Sequence, residues 1–419
     1  MKLLLKKVTV NNLGSEYHNE TVDITVEGNI VKEISDSIDS FDGEVMDLSG
    51  ATISPGFMDM WSDFADPGFE HRESIASGSH AAIKGGFTKV AVLPNTNPVR
   101  DNKSGILYLI NNAKSIPVDL LPYCTVSKGG RGDELSEIID LSRHGAVAFT
   151  DVGCTNQADM VLKALKYLQI IDGTLIQRPN EKRLADKGVM NEGVNSTVLG
   201  MKGVPALAES LIVQRDTEIL RYTGGKIHFV NISSAKSVEL IREAKKEGLN
   251  VSCSVAVHNL VFDDSALLEY DTNYKFDPPL RTVEDQKALF EGLKDGTIDA
   301  INAAHIPHDI ESKKLEFDLA DFGAISLQTF LPAIISLEKY LPMDLIIDKS
   351  TNGPRRVLGL EEVSLATGQD ADFVIYDAKQ SWHFNESTNQ STSMNSPYFD
   401  QILQGKVLGT ICKGMSSFK

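Results

Sequence analysis

Lys226-Ile227-His228-Phe229-Val230, followed by the stretch from Ala235 to Glu247, is the type of unit that decides the fold. A short apolar strand ends in polar residues, and a segment with helical periodicity comes next. Similar units begin at Lys89 and at Ala146. The repetition predicts strands that alternate with helices, which is typical of a parallel sheet.

Eight segments in the middle of the chain have the character of short buried strands. They cover residues 53–58, 89–93, 120–125, 146–149, 174–177, 226–230, 250–255 and 298–303. Eight strands alternating with helices over about 300 residues favour an α/β fold of the (β/α)8 TIM barrel type. An open doubly wound sheet is the alternative. In a barrel, functional side chains lie at the carboxyl ends of the strands.

The two ends of the chain have a different pattern. Near the N-terminus, apolar bursts such as Val22-Asp23-Ile24-Thr25-Val26 are separated by turn residues, and residues 371–377 and 406–411 repeat this pattern near the C-terminus. The alternation is typical of β-hairpins. We therefore expect both ends to contribute to one β-rich lobe.

Composition excludes several classes of protein. The 419 residues include 41 Lys and Arg against 58 Asp and Glu, a net charge of −17, and 42% of residues are hydrophobic. Such a chain is neither disordered nor suited to nucleic acid. The sequence has no apolar run of membrane-spanning length and no signal-peptide core. Its four cysteines are widely spaced, so we expect buried thiols in a cytoplasmic protein.

A series of motifs identifies a family. In order along the chain they include residues 54–60 (SPGFMDM), 66–73 (DPGFEHRE), 93–98 (LPNTNP), 145–151 (GAVAFTD), 190–193 (MNEG), 277–281 (DPPLR) and 305–308 (HIPH). Together they resemble the dihydroorotases of the amidohydrolase superfamily. The resemblance implies a TIM barrel over residues 53–360. It also implies a small β-sandwich domain that residues 1–52 and 361–419 form together.

The family resemblance also implies a zinc site that hydrolyses or closes a cyclic amide. Its five metal ligands and its residue that is both ligand and general base correspond here to Trp61, Asp63, Asp151, Arg178, Asn231 and Ala304. The family's histidines and its catalytic aspartate are therefore replaced. Only Asp63 and Asp151 offer oxygen ligands. We expect a vestigial site without catalytic residues and without a metal cofactor, zinc being present only if this interpretation is wrong.

Arg178 carries a permanent positive charge where the family has a metal ligand. We expect it to oppose metal binding and to pair with Asp63 or Asp151.

The positions that contact substrate in the family are changed as well. Asn95 and His308 match family residues, whereas Asp277 stands in place of an asparagine. Ala65 replaces an arginine that grips the substrate carboxylate. For Asp59, His258 and His305 we expect structural roles.

Three hypotheses follow from these residues. The first is an inactive homologue that oligomerises and binds or scaffolds aspartate transcarbamoylase, as inactive dihydroorotase-like chains do in this family. The second is an enzyme with rebuilt chemistry that uses Asp63, Asp151, Arg178 and His308 on a ureido or cyclic-amide substrate. The third is an authentic dihydroorotase with an unusual site.

Overall fold

The computed structural model describes residues 1–418, and strands occur throughout them. The strands are β1 Lys2–Val10, β2 Thr21–Glu27, β3 Ile30–Ser35, β4 Glu44–Asp47, β5 Thr52–Pro55, β6 Phe57–Ser62, β7 Phe87–Val92, β8 Asp119–Cys124, β9 Ala148–Phe149, β10 Leu175–Gln177, β11 Met190–Asn191, β12 Gly203–Val204, β13 Ile227–Phe229, β14 Val251–Ala256, β15 Ala300–Asn302, β16 Phe373–Phe384, β17 Gln401–Cys412 and β18 Met415–Ser416.

Helices separate the strands of the middle region. They are α1 Ile75–Gly85, α2 Lys103–Asn112, α3 Ile138–Arg143, α4 Ala158–Leu168, α5 Lys182–Ala185, α6 Val194–Leu199, α7 Leu207–Thr223, α8 Ala235–Lys246, α9 Val257–Val261, α10 Val283–Lys294, α11 Ile310–Lys313, α12 Phe330–Ile335, α13 Met343–Ser350 and α14 Asn352–Val357. Several begin at a capping residue; for example, the Ser234 side chain accepts a hydrogen bond from the backbone N–H of Ser237 at the start of α8.

Eight parallel strands form the barrel, in the order β6-β7-β8-β9-β10-β13-β14-β15. The predicted TIM barrel is confirmed. Between its first and last strands, Asp59 Oδ1 accepts a hydrogen bond of 2.6 Å from the backbone N–H of Ala303. The backbone N–H of Asp63 donates to the carbonyl of His305 over 2.9 Å. These bonds join the two edges of the sheet.

The first barrel strand is shifted from its predicted position. Residues 53–58 do not form one strand, because Pro55 ends β5 and β6 begins at Phe57. The break lies at Gly56, where an added Cβ would come within 2.1 Å of the Thr88 side chain. The close approach leaves no room for a Cβ at this position, which explains the glycine.

Segments from both ends of the chain share a second sheet of eight strands. Its order is β18-β17-β16-β5-β1-β2-β3, with β4 beside β1. Buried Leu5, Ile24, Ile53 and Phe373 belong to its hydrophobic core, which is separate from the core around the barrel. No helix within residues 1–418 has the length and apolar character needed to cross a membrane.

Candidate active site

A cavity of about 320 Å3 opens at the carboxyl ends of the barrel strands. Of the residues singled out in the sequence, eight line it: Trp61, Asp63, Asn95, Arg178, His258, Asp277, Ala304 and His308. Asp151 and Asn231 are not part of its wall. The barrel thus brings most of the expected site residues together.

Asp63 lies directly after β6 and is held by protein donors. Arg72 Nη2 and Asn95 Nδ2 each donate to its Oδ2 over 2.9 Å, and the backbone N–H of Ala65 donates to Oδ1 over 2.8 Å. The Asp63 side chain is 2% exposed and that of Arg72 19%. Both carboxylate oxygens therefore already have partners inside the protein.

Arg178 pairs with Asp277, through Nη1 and Oδ1. The expectation that it pairs with Asp63 or Asp151 is wrong. Arg72 has taken Asp63, and Asp151 is satisfied by neutral donors. No other hydrogen bond of the Arg178 guanidinium occurs within residues 1–418, so its remaining N–H groups are free to meet a ligand.

Asp151 follows β9 and accepts three hydrogen bonds from hydroxyl and amide groups. The backbone N–H and Oγ of Ser127 donate over 3.0 and 2.9 Å, and Thr155 Oγ1 donates over 3.3 Å. Burial raises the pKa of Asp151, although these hydrogen bonds act in the opposite direction. Asp151 is therefore held between the loops after β8 and β9, with no Lys or Arg paired to it within residues 1–418.

Asn231 and Ala304, two of the altered positions, have an unusual backbone conformation. Both have left-handed φ values, +54° and +55°, which are uncommon for residues other than glycine. Asn231 Oδ1 accepts a hydrogen bond of 2.8 Å from Asn302 Nδ2, whereas Asn231 Nδ2 has no partner within residues 1–418. The strained backbone is present, but the side chains are an amide and a methyl group.

Two histidines line the cavity, and they differ in their hydrogen-bond partners. His258 stacks on Phe276 with ring centroids 4.2 Å apart, and neither ring nitrogen has a partner within residues 1–418. Burial lowers its pKa to about 3, with a smaller effect of His305, so the ring is neutral. His308 Nε2 lies 2.9 Å from the carbonyl oxygen of Phe322; burial also lowers its pKa.

His305 contacts residues from separate parts of the chain. His305 Nε2 lies 3.2 Å from Oε2 of the fully buried Glu73, and its Nδ1 accepts from the backbone N–H of Ser326. Glu73 also binds Ser391 and the backbone N–H of Thr392. The contacts of Glu73 with Ser391 and Thr392 connect the loop after β6 to the loop before β17.

The side chains at the six positions that correspond to the family's zinc site do not fit zinc. Zinc in proteins is held by convergent imidazole, thiolate and carboxylate ligands. Within residues 1–418 no group of three or more His, Cys, Asp or Glu side chains lies close enough to hold a metal ion. The two candidate carboxylates are separately hydrogen-bonded, and Arg72 places a positive charge 2.9 Å from Asp63.

Sequence reasoning missed Arg72, Ser127 and Glu73. Buried charged groups are commonly paired with an opposite charge, and Arg72 is the first Lys or Arg after Asp63 in the sequence. That signal was sufficient to suggest the pair. Ser127 gave no comparable signal, because its contact with Asp151 depends on the path of a loop.

The fold is shared with solved structures of known enzymes. An L-hydantoinase (dihydropyrimidinase) from Arthrobacter aurescens matches with a TM-score of 0.86 at 21% identity, over 100% of this chain and 96% of that chain. A dihydropyrimidinase from Brevibacillus agri matches with a TM-score of 0.83 at 19% identity, over 100% and 95%. The fold is therefore of the hydantoinase and dihydropyrimidinase type.

Sequence similarity defines the family. The model of the Dihydro-orotase-like family matches residues 50–237. A protein of Acetivibrio thermocellus named Dihydroorotase is 41% identical over 401 residues, 94% of each chain. A protein of Carboxydothermus hydrogenoformans with the same name is 39% identical over 403 residues, 95% of this chain and 94% of its own. The chain belongs to the dihydroorotase family.

Proposed function

We propose that this chain is a dihydroorotase-family protein of pyrimidine biosynthesis that works without zinc-dependent hydrolysis. In this proposal it acts in the cytoplasm, as an oligomer, as a binding or scaffolding partner of aspartate transcarbamoylase. The observation that supports it most is the Asp63 carboxylate, which is already bound by Arg72 and Asn95. A carboxylate with these partners would have to break a partly buried ion pair before it could bind a metal.

The other altered positions support the same proposal. Activation of water by zinc requires a bound metal and a base that accepts the proton. Ala304 has no group that accepts a proton, and Trp61 has no metal-binding atom. Arg178 faces the cavity as a cation. A hydrolytic step therefore lacks both its metal site and its general base.

The proposed partner follows from the contrast between fold and site. The barrel and the sheet of both termini are complete, while the family's catalytic groups are replaced. Inactive dihydroorotase-like chains serve in this family as partners of aspartate transcarbamoylase. Such a role uses outer surfaces and loops, so it needs the fold and not the zinc ligands.

Size-exclusion chromatography with light scattering tests the scaffold role. The chain is mixed with the aspartate transcarbamoylase of the same cell, and a complex larger than either protein is expected. Arg178→Gln should form the same complex, because Arg178 lies in the cavity. Separate elution of the wild-type chain and the transcarbamoylase would contradict the proposal.

An active amidohydrolase with an altered site is the second candidate. The relatives support this candidate, because the two relatives described above, at 41% and 39% identity, both carry the name Dihydroorotase. The groups proposed for chemistry on a dihydroorotate or ureido substrate are the free N–H groups of Arg178 and the His308 ring, which line the cavity, and Asp151. The Asp151 carboxylate would first have to release its present donors. Substrate-binding roles for Asn95, Asp277 and His308 belong to this candidate.

A hydrolysis assay separates the two candidates. Wild-type protein is assayed with dihydroorotate and carbamoyl aspartate, with added zinc and with chelator. Turnover that is lost in both Arg178→Gln and His308→Gln would establish rebuilt chemistry. Absence of turnover under all conditions, in a preparation that folds, would favour the binding protein.

A further inference from the structure

A second cavity lies at the opposite end of the barrel from the candidate active site. It has a volume of about 600 Å3. Its wall includes Thr174, Lys226, Asn250 and Asp299, which precede β10, β13, β14 and β15 respectively. These are the amino ends of the strands, so the cavity is separated from Asp63 and Arg178 by the length of the barrel. Its size is within the range of small-molecule sites.

Lys349, near the end of α13, lines this cavity and is 9% exposed. It has no hydrogen bond or ion pair within residues 1–418, because the nearby carboxylates already have cations. Asp299 binds Lys245 and Asp348 binds Arg356. Burial lowers the pKa of Lys349. Asp299 and Asp348 act on this ammonium from a distance and raise its pKa, but the effect of burial is larger. An anion in the cavity would give Lys349 the direct partner that it lacks within residues 1–418.

Two more cations face the same space. Lys226 pairs over 2.6 Å with Asp172, whose side chain is 84% exposed, and Arg356 comes from α14. Exposed pairs contribute little to stability and exchange partners readily. The lining side chains include three cations, Lys226, Lys349 and Arg356, and two carboxylates, Asp172 and Asp299. Arg356 is itself paired with Asp348 and Glu362, so Lys349 is the lining cation without a direct partner within residues 1–418.

We propose that this cavity binds a small phosphorylated molecule, with Lys349 as the principal contact to its phosphoryl group. Lys226 and Arg356 approach from other elements, and lysine commonly binds phosphate as a point charge. The cavity is larger than a phosphate ion requires, so the remaining volume fits the rest of a phosphate monoester. This proposal is independent of the role proposed for the other end of the barrel.

Isothermal titration calorimetry at constant ionic strength tests the proposal. The probes are inorganic phosphate and ribose 5-phosphate, which distinguish a free-phosphate site from a monoester site. We expect both to bind, ribose 5-phosphate more tightly. Lys349→Met should weaken binding by about tenfold or more, since one charge-assisted contact is lost. Lys349→Arg, which keeps the charge, should bind.

Two variants serve as controls. Lys236→Met removes an exposed lysine on α8 and should bind as wild type does, which excludes an effect of net charge. Arg178→Gln should also bind normally, which excludes the candidate active site as the location. Should Lys349→Met fail to fold, Lys226→Met takes its place under the same criterion.

Three results would overturn the proposal. They are no binding of either probe by wild type, equal binding by wild type and Lys349→Met, or a loss of binding in Arg178→Gln that Lys349→Met does not show. If ribose 5-phosphate binds no more tightly than inorganic phosphate, the proposal that the ligand is a phosphate monoester is wrong.

Discussion

Arg72 joins two parts of the candidate site through a single guanidinium. Its Nη2 donates to Asp63, and its Nε donates over 3.0 Å to the carbonyl oxygen of Pro307. Arg72→Met would leave a buried carboxylate without its cation. We predict a loss of about 3 kcal/mol in the free energy of unfolding, measured by urea denaturation.

Arg72→Lys is the matched variant, since it keeps the charge and loses the forked geometry. It should lose less stability than Arg72→Met. If Arg72→Met unfolds at the wild-type urea concentration, the ion pair with Asp63 does not hold this site together.

We predict that His258 makes the stability of the protein depend on pH. Its folded-state pKa of about 3 lies below the value of about 6.5 for an unfolded chain. The unfolded state therefore binds a proton that the folded state does not, and stability falls as the pH drops below about 6.5. His258→Gln should reduce this slope between pH 6 and pH 5 by up to about 1.4 kcal/mol per pH unit.

The measurement is a series of urea denaturations across that pH range. His80→Gln, at an exposed position on α1, is the control and should leave the slope unchanged. An unchanged slope in His258→Gln would show that the His258 ring is protonated or well solvated in the folded protein.

At the residue scale, most of the positions that line the cavity could be predicted from the sequence. The hydrogen-bond and ion-pair partners of those residues could not. The replacement of the family's ligands at Trp61, Arg178 and Ala304 could be read directly, because residue type fixes whether a metal can bind. The pairing of Arg178 with Asp277 could not. It depends on how the loops after β10 and before α10 approach each other.

At the scale of elements, Asp59 stands where the first and last barrel strands meet. Its carboxylate accepts from the Ala303 N–H over 2.6 Å and from Trp61 N–H and Ser62 Oγ over 3.1 and 2.5 Å. Asp59→Ala would leave three buried donors without a partner. We predict a loss of about 3 kcal/mol in the free energy of unfolding.

Asp159→Ala, on the exposed side of α4, is the control for removal of a carboxylate and should change stability far less than Asp59→Ala. A similar, small effect in both variants would mean that Asp59 does not join the barrel edges.

Element types were predictable because buried parallel strands and amphipathic helices have distinct periodicities. The bounds of β7, β8 and β14 differ from the predicted ones by one or two residues. The exception is β6, because the predicted strand runs across Pro55-Gly56, a turn signal that separates β5 from β6. The close approach of Gly56 to Thr88 depends on the tertiary fold.

For the whole molecule, the observed fold is the one that membership of the dihydroorotase family implies. The replaced residues of the candidate site are not explained by the fold or by the family. The chain is 41% identical to a protein named Dihydroorotase, and its barrel is complete. The proposed partner, the oligomeric state and the division into domains remain predictions, because surfaces for association carry no pattern as strong as strand periodicity.

Zinc content after equilibration tests the central claim most directly. The purified chain is dialysed against excess zinc and then against metal-free buffer, and bound zinc is measured by mass spectrometry beside a relative that keeps the family's ligands. We predict far less than stoichiometric zinc in this chain, because Arg72 and Asn95 bind Asp63 and Arg178 adds a positive charge. Stoichiometric zinc that is retained through dialysis would contradict this account of the site.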